Sequence, residues 1–257
     1  ILFRLVGSEM CIRDSSFSIH KSCTVLRVIL LCLIIPMVFA HAQYREVGLL
    51  LGGTNYIGEV GKTTFVELSL KSPSATLFYK SNFSPRFAFR FELGLSSIRG
   101  IDSLSLEPLR KERAISFSNS INHTSAILEV NYFEMDFSDF KTSWSPYLFA
   151  GLSYVKFRDL YYPVSEYVAN YQNNDFSFAI PMGVGVKTRL GMNFLLGFEI
   201  KALYTFSDNL DGSFPTFVDE IDQQPAFGNS LSNDWIIFSG FSLSYSFGRG
   251  WFTEGLL

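Results

Sequence analysis

The chain has 257 residues and a formal net charge of −3, so it carries no basic footprint of a nucleic-acid partner. Charged residues make up only 18% while aromatics reach 16%, a balance unlike that of a soluble globular domain. All three cysteines (Cys11, Cys23 and Cys32) precede residue 43, and His123 is the one histidine beyond it. Disulfide, thiolate and most metal chemistry are thereby withdrawn from everything downstream, and no cofactor is expected.

Residues 1–20 show no useful period and read as a non-native upstream segment. Lys21 and Arg27 then precede an apolar run over 28–40, followed by Ala40, His41 and Ala42. That run is too short for a membrane-spanning helix, which needs ~20 residues. A positive start, an apolar middle and a small-x-small end predict a signal peptide over 21–42, cut after Ala42. Cys32 does not fit a lipid anchor, because Leu31 before it is large and the apolar run continues past it.

From residue 43 onward the pattern changes to period two. Phe87, Phe89, Phe91, Leu93 and Leu95 share one face, while Ala88, Arg90, Glu92 and Gly94 share the other. The same alternation sets Phe194, Leu196, Phe198, Ile200, Ala202, Tyr204 and Phe206 against Gly197, Glu199, Lys201 and Thr205. Near the end, Trp235, Ile237, Phe241, Leu243, Tyr245 and Phe247 alternate with Gly240, Ser242, Ser244 and Ser246. Such alternation requires a sheet with two unlike faces. One face is large and aromatic and the other is rich in Gly, Ser and isolated charges, as in a barrel whose exterior meets lipid.

Strands are predicted over 46–54, 74–82, 87–97, 123–137, 146–158, 176–189, 193–206 and 234–247. Short links fall at 83–86, 138–145 and 190–192, and long ones at 55–73, 98–122, 159–175 and 207–233. Short and long alternate, as periplasmic turns and outer loops do in outer-membrane barrels. The expected fold is all-β: a transmembrane antiparallel up-and-down barrel of eight strands over 43–247, with a periplasmic tail over 248–257. Trp144, Tyr147, Tyr154, Tyr161 and Tyr162 are expected to mark membrane interfaces, and Gly183 and Gly185 to permit bends at barrel corners.

The inward face collects Arg90, Glu92, Glu129, Lys187, Glu199 and Lys201. In an eight-stranded barrel the interior has room only for side chains, so burial demands that these charges pair. They read either as a proton or ion path or as a salt-bridged structural plug, and the plug is favoured. Enzyme chemistry finds little support. His123 begins a predicted strand, with Ser118, Ser120 and Asp102 nearby at no specific spacing. The acids Asp208, Asp211, Asp219, Glu220 and Asp222 read as a solvated outer loop. Tyr161, Tyr162, Tyr167 and Tyr171 are placed either to grip a partner or glycan, or to pack over the mouth.

The segment Gly52, Gly53, Thr54, Asn55, Tyr56, Ile57, Gly58, Glu59, Val60 and Gly61 resembles the signature of PorG-like outer-membrane proteins. The stretch 84–90, with Ser84, Pro85 and Arg86, is similar to that family's first periplasmic turn and third strand, and the stretches 129–133 and 145–154 to its middle strands. The resemblance covers nearly all of 43–247. It implies a component of the type IX secretion machinery, linked in some bacteria to gliding motility, that anchors a periplasmic ring through its lipoprotein subunit. No catalytic residue carries over. The expected partners are outer-membrane lipids and that ring lipoprotein, met at Ser84, Pro85 and Arg86 in the first turn. The rival reading is a surface-binding barrel whose loops at 159–175 and 207–233 contact glycan, lipid or host.

Overall fold

The computed structural model describes residues 44–62, 72–135, 144–164, 166–191, 193–214, 224–229 and 233–248. The expected signal peptide and most of the tail lie outside these residues. Eight strands follow in chain order: β1 (Tyr44–Ile57), β2 (Pro73–Asn82), β3 (Phe87–Ile101), β4 (Ser116–Asn131), β5 (Trp144–Tyr161), β6 (Asn170–Arg189), β7 (Phe194–Thr205) and β8 (Trp235–Phe247). Each pairs antiparallel with the next, and β1 closes on β8, so that Leu50 lies opposite both Thr76 and Ser242. The chain is a closed eight-stranded β-barrel. Closure matters physically, because an unpaired strand edge in hydrocarbon would leave backbone groups without partners.

The exterior carries the large apolar residues. Leu95, Leu148, Leu152 and Phe178 are between 62 and 68% exposed, and each sits on an outward face with others of its kind. On β3 the apolar run from Phe87 to Leu95 spans eight residue steps, about 26 Å of strand, which a tilted barrel converts to roughly the thickness of a bilayer core. In water this belt would be an aggregation surface; around it, lipid is the matching solvent. The interior at the same level is polar. An apolar belt around a polar lumen, in a closed barrel, is the construction of a bacterial outer-membrane protein, and that is where this chain resides.

Toward the loop rim the polarity reverses within single strands. On β4, Leu128 and Val130 face outward and Glu129 inward. Higher on the same strand, Ser118, Ser120 and Asn122 face outward, while Phe117 and Ile121 are buried inside. These two join Ile98, Ile115, Val155, Phe157, Leu203, Ile236 and Phe238 in one apolar cluster. The barrel is therefore inverted at membrane level and conventional above it.

This reversal corrects the predicted boundaries. The stretch 98–122 is not a long loop: β3 continues to Ile101 and β4 begins at Ser116. Between them run only a 3-10 turn (Asp102–Leu104) and a short helix, α1 (Pro108–Arg113). At its other end β4 stops at Asn131 rather than at 137. The expected long link at 159–175 shrinks to 162–169, because β5 and β6 extend upward through a register shift between Asp159 and Leu160. The connection over 132–143 is thus longer than the next one, over 162–169, and the strict short–long alternation does not hold. Strands that project past the membrane keep their hydrogen bonds, so link length no longer reports which side of the bilayer a loop faces.

Candidate functional site

Two layers fill the barrel. The lower one, at membrane level, is a network of buried charges in which the six expected residues meet. Arg90 contacts Glu92 at 2.9 Å and Glu199 at 2.8 Å, with Glu129 at 3.8 Å. Lys187 lies 2.5 Å from Glu129, and Lys201 lies 2.7 Å from Glu92. Two further members complete it. Lys80 contacts Glu129 at 2.8 Å and Glu46 at 3.7 Å. Four carboxylates (Glu46, Glu92, Glu129, Glu199) thus face four cations (Lys80, Arg90, Lys187, Lys201), and the layer is electrically neutral. Neutrality is what makes its burial tolerable, since each isolated ion would cost several kcal/mol to desolvate.

Neutral groups fill the gaps between the ions. The Tyr147 hydroxyl donates to Glu199 at 2.8 Å, Asn82 donates to Glu46 at 2.7 Å, and His123 Nε2 stands 3.4 Å from Lys201 Nζ. Rings are admitted by glycines on the neighbouring strand. Phe78 lies opposite Gly48, His123 opposite Gly94, Phe149 opposite Gly183 and Tyr147 opposite Gly185. At each of these glycines a Cβ would collide with the facing ring. Gly183 and Gly185, expected to mark bends, instead make room for side chains in a narrow tube.

Glu46 and Lys80 were not among the expected residues, because inward Leu50 on β1 and Phe78 on β2 blur the polar face of those strands. The signal was present: Leu77 and Tyr79 face outward, which places Lys80 inward. Tyr147 and Tyr162, expected at membrane interfaces, are buried inside; Trp144 and Tyr154 do face outward. His123, expected at the start of a strand, lies mid-strand in the lumen. Ser118 and Ser120 face away from it on the same strand, and Asp102 binds Arg113 and the Gly61 amide. The described residues thus do not assemble the dyad weighed for His123.

The upper layer is a cap folded into the mouth, and the segment carrying the family resemblance builds much of it. Gly52 lies opposite Gly240 on β8, so close that a Cβ would strike the backbone of Ser239. Gly53 and Asn55 continue β1 outward. Tyr56 is buried edge-on against Phe117, 4.9 Å between centroids, and its hydroxyl donates to Asp234. Gly58 passes directly over that hydroxyl, where a side chain would not fit. Gly61 takes a left-handed backbone, φ 98°, and donates its amide to Asp102 at 2.8 Å. Arg110 binds the carbonyls of Gly58 and Gly61 at 3.0 and 3.1 Å. Arg113 binds the Glu59 carbonyl and the Asp102 carboxylate, each at 2.7 Å.

The other half of the cap comes from residues 206–214. Leu210 is fully buried, its amide donating to Asp234 at 3.0 Å and its carbonyl accepting from Asn119 at 2.8 Å. Asp211, expected in a solvated loop, is buried and accepts from the Val60 amide at 3.1 Å and the Ser213 amide at 2.9 Å. Asp219, Glu220 and Asp222 lie outside the described residues. Glu59, Asp211 and Asp234 bring one oxygen each within 4.8 Å of one another, and they are the described residues whose spacing would suit a shared cation. Burial and mutual repulsion raise the pKa of Asp211 and, more strongly, of Asp234. Asp208 is pushed up to about 7 by burial and by the charges of Glu59 and Asp211.

The terminal rim is more open. The turn over 83–86 is tied to the next connection: the Pro85 carbonyl accepts from Asn131 Nδ2 and from the Met135 amide, each at 3.2 Å. Arg86 pairs with Glu134 at 3.0 Å on the surface, and Ser84 Oγ accepts from the amides of Arg86 and Phe87.

A family model described as "Domain of unknown function (DUF6089)" matches residues 24–252. The chain belongs to that family. No curated protein matches it. Among solved structures, this DUF6089 chain is similar to the N-terminal β-barrel domain of Pseudomonas aeruginosa OprF, at 12% identity over 80% of this chain and 98% of that one, TM-score 0.39. It is similar to Ail, the attachment invasion locus protein of Yersinia pestis, at 9% identity over 80% and 99%, TM-score 0.40. It is also similar to Neisserial surface protein A, at 13% identity over 79% and 96%, TM-score 0.40.

Proposed function

We propose that this DUF6089 barrel is a non-conducting outer-membrane anchor, an assembly component of the type IX secretion machinery that binds a periplasmic ring lipoprotein. The observation that carries the reading is the filled lumen. A neutral lattice of charges occupies the membrane level, an apolar cluster lies above it, and Leu210 with its flanking residues closes the mouth. In this reading Arg90, Glu92, Glu129, Lys187, Glu199 and Lys201 are a structural plug that replaces a hydrophobic core. A barrel built this way offers partners its rims rather than a passage. The terminal rim carries the turn of Ser84, Pro85 and Arg86, fixed by bonds to Asn131, Met135 and Glu134, and a fixed turn presents a partner with a surface that need not be ordered on binding. The resemblance of residues 52–61 and 84–90 to PorG-like proteins supplies the machinery by name.

Purification of the tagged protein from its native membrane in mild detergent, followed by mass spectrometry, tests this. A stoichiometric periplasmic lipoprotein is expected, lost when Arg86→Glu and Pro85→Gly are introduced together. Recovery of the barrel alone, under conditions that keep other envelope complexes intact, would sink the anchor reading.

A further inference from the structure

The lumen holds charges of both signs, whereas the carboxylates of the described strands all stay on the inward face. Glu46, Glu92, Glu129, Asp159 and Glu199 are buried inside, and Asp175 shares the face of buried Phe157, opposite it in register. The outward strand charges among the described residues are Arg45 at the terminal rim and Arg99, Lys156 and Arg158 toward the loop rim. Those last three are all cations, on β3 and β5 with β4 between them.

Register places them. On β3 the outward sequence runs Leu93, Leu95, Ser97, Arg99; on β5 it runs Leu152, Tyr154, Lys156, Arg158. Between them β4 presents Asn122 opposite Lys156, with Ser120 opposite Ser97 and Ser118 opposite Arg99. Through β4, Lys156 is in register with Leu95 and Arg158 with Ser97, so β3 and β5 turn polar within two residues of each other in register and the strip begins where the lipid belt ends. Two strand spacings and the register offset set the Arg99 backbone roughly 12 Å from that of Arg158 and roughly 16 Å from that of Lys156, a span that three long side chains close to the reach of a headgroup carrying more than one anionic group. The cations are also held against the wall: Lys156 lies over the Phe176 ring at 5.7 Å and Arg158 over the Tyr171 ring at 5.5 Å.

From this we infer that Arg99, Lys156 and Arg158, with the donors of Ser118, Ser120 and Asn122, form a binding strip for the phosphorylated headgroup of a lipid in the leaflet at the loop rim. Its acyl chains lie along Leu95, Leu128, Leu152, Tyr154 and Phe178 below. The inference rests on the membrane-spanning reading and is independent of the secretion role. A lipid is the occupant, rather than a soluble anion, because the strip is continuous with the apolar belt below it. Cations at a membrane surface each gain from anionic headgroups, and the gain is local to a few ångströms of the boundary.

The full-length barrel, purified in neutral detergent, should be titrated with bis-phosphorylated lipid A and read by native mass spectrometry. Binding is expected at a stoichiometric level. The triple variant Arg99→Gln, Lys156→Gln, Arg158→Gln should bind on the order of a hundredfold more weakly. Arg45→Gln, an outward cation at the opposite rim, should bind as the parent does. Heat-modifiable migration on a gel checks that each variant is folded, and the three substitutions face solvent or headgroups, so the barrel should survive them. Unchanged binding by the folded triple variant would overturn the proposal. So would equal retention of a zwitterionic phospholipid, which would leave only the belt at work. Displacement of lipid A by millimolar inorganic phosphate would assign the strip to a free anion instead and would overturn it too.

Discussion

Gly94 and His123 face each other across β3 and β4, and the imidazole occupies the space where a side chain on residue 94 would begin. The ring is further held between Lys201 and Phe238, 5.2 Å from the latter's centroid. Large and small residues are thus matched pair by pair around the lumen. Gly94→Val should force the ring from its place and destabilise the folded barrel by about 1–3 kcal/mol, as overpacking does. His123→Ala in the same chain should return part of that loss. Urea midpoints of the two single variants and the double variant check it; additive losses would mean the two positions do not share the space.

Glu199 accepts from both Arg90 and Tyr147 inside the wall, whereas Glu134 pairs with Arg86 in the open, with side chains 63 and 56% exposed. Glu199→Gln removes one of the Arg90 carboxylate partners and leaves the buried layer with one cation in excess, and it should cost about 3–5 kcal/mol. Glu134→Gln should cost about 1 kcal/mol at most. Comparing denaturant midpoints of the two variants decides whether the lumenal network stabilises the barrel or merely fills it.

Arg113 ties the 58–61 strap to the rim through the Glu59 carbonyl and Asp102, with its guanidinium 4.6 Å from the Phe227 ring. Arg113→Ala should free that strap, raising amide exchange at Gly58 and Gly61 about tenfold or more while β1 below Gly52 stays protected. Arg113→Lys should not restore it, because lysine lacks the planar fork by which Nε reaches the Asp102 carboxylate while Nη2 reaches the Glu59 carbonyl. Hydrogen exchange resolved by peptide reads both outcomes.

The cap should loosen as pH rises. Asp208 holds its proton up to about 7 in the fold, well above its ordinary value, and Asp211 and Asp234 are raised as well. The folded state therefore binds more protons than the unfolded one between pH ~4 and 7, so its stability falls across that window. The contribution is complete below the unfolded-state value and is lost once pH passes the folded one. Limited proteolysis within 206–234 should be slower at pH 5 than at pH 8, and Asp208→Asn should flatten the dependence. Equal cleavage rates at both pH values would remove the cap carboxylates as its cause.

A sealed lumen should carry no steady current. Planar-bilayer recording of the purified protein is expected to show the closed level throughout. A stable conductance step in the parent protein would count against the plug and favour the ion-path reading of the same charges.

Alternation alone was enough to determine that the chain is a sheet with an apolar and a polar face, because period two is local and each strand reports it independently. It also places Arg90, Glu92, Glu129, Lys187, Glu199 and Lys201 on the polar face without reference to their partners. What it lacks is a sign: Phe117 and Ile121 alternate with Ser118 and Ser120 as regularly as Leu128 and Val130 alternate with Glu129. Only the closed barrel, with lipid around one level and a folded cap above the other, decides that the first pair points in and the second out. Pairing is likewise beyond a local pattern. Glu46 meets Lys80 because β1 and β2 align in register, and Arg90 reaches Glu199 across 109 positions of sequence because the sheet closes on itself.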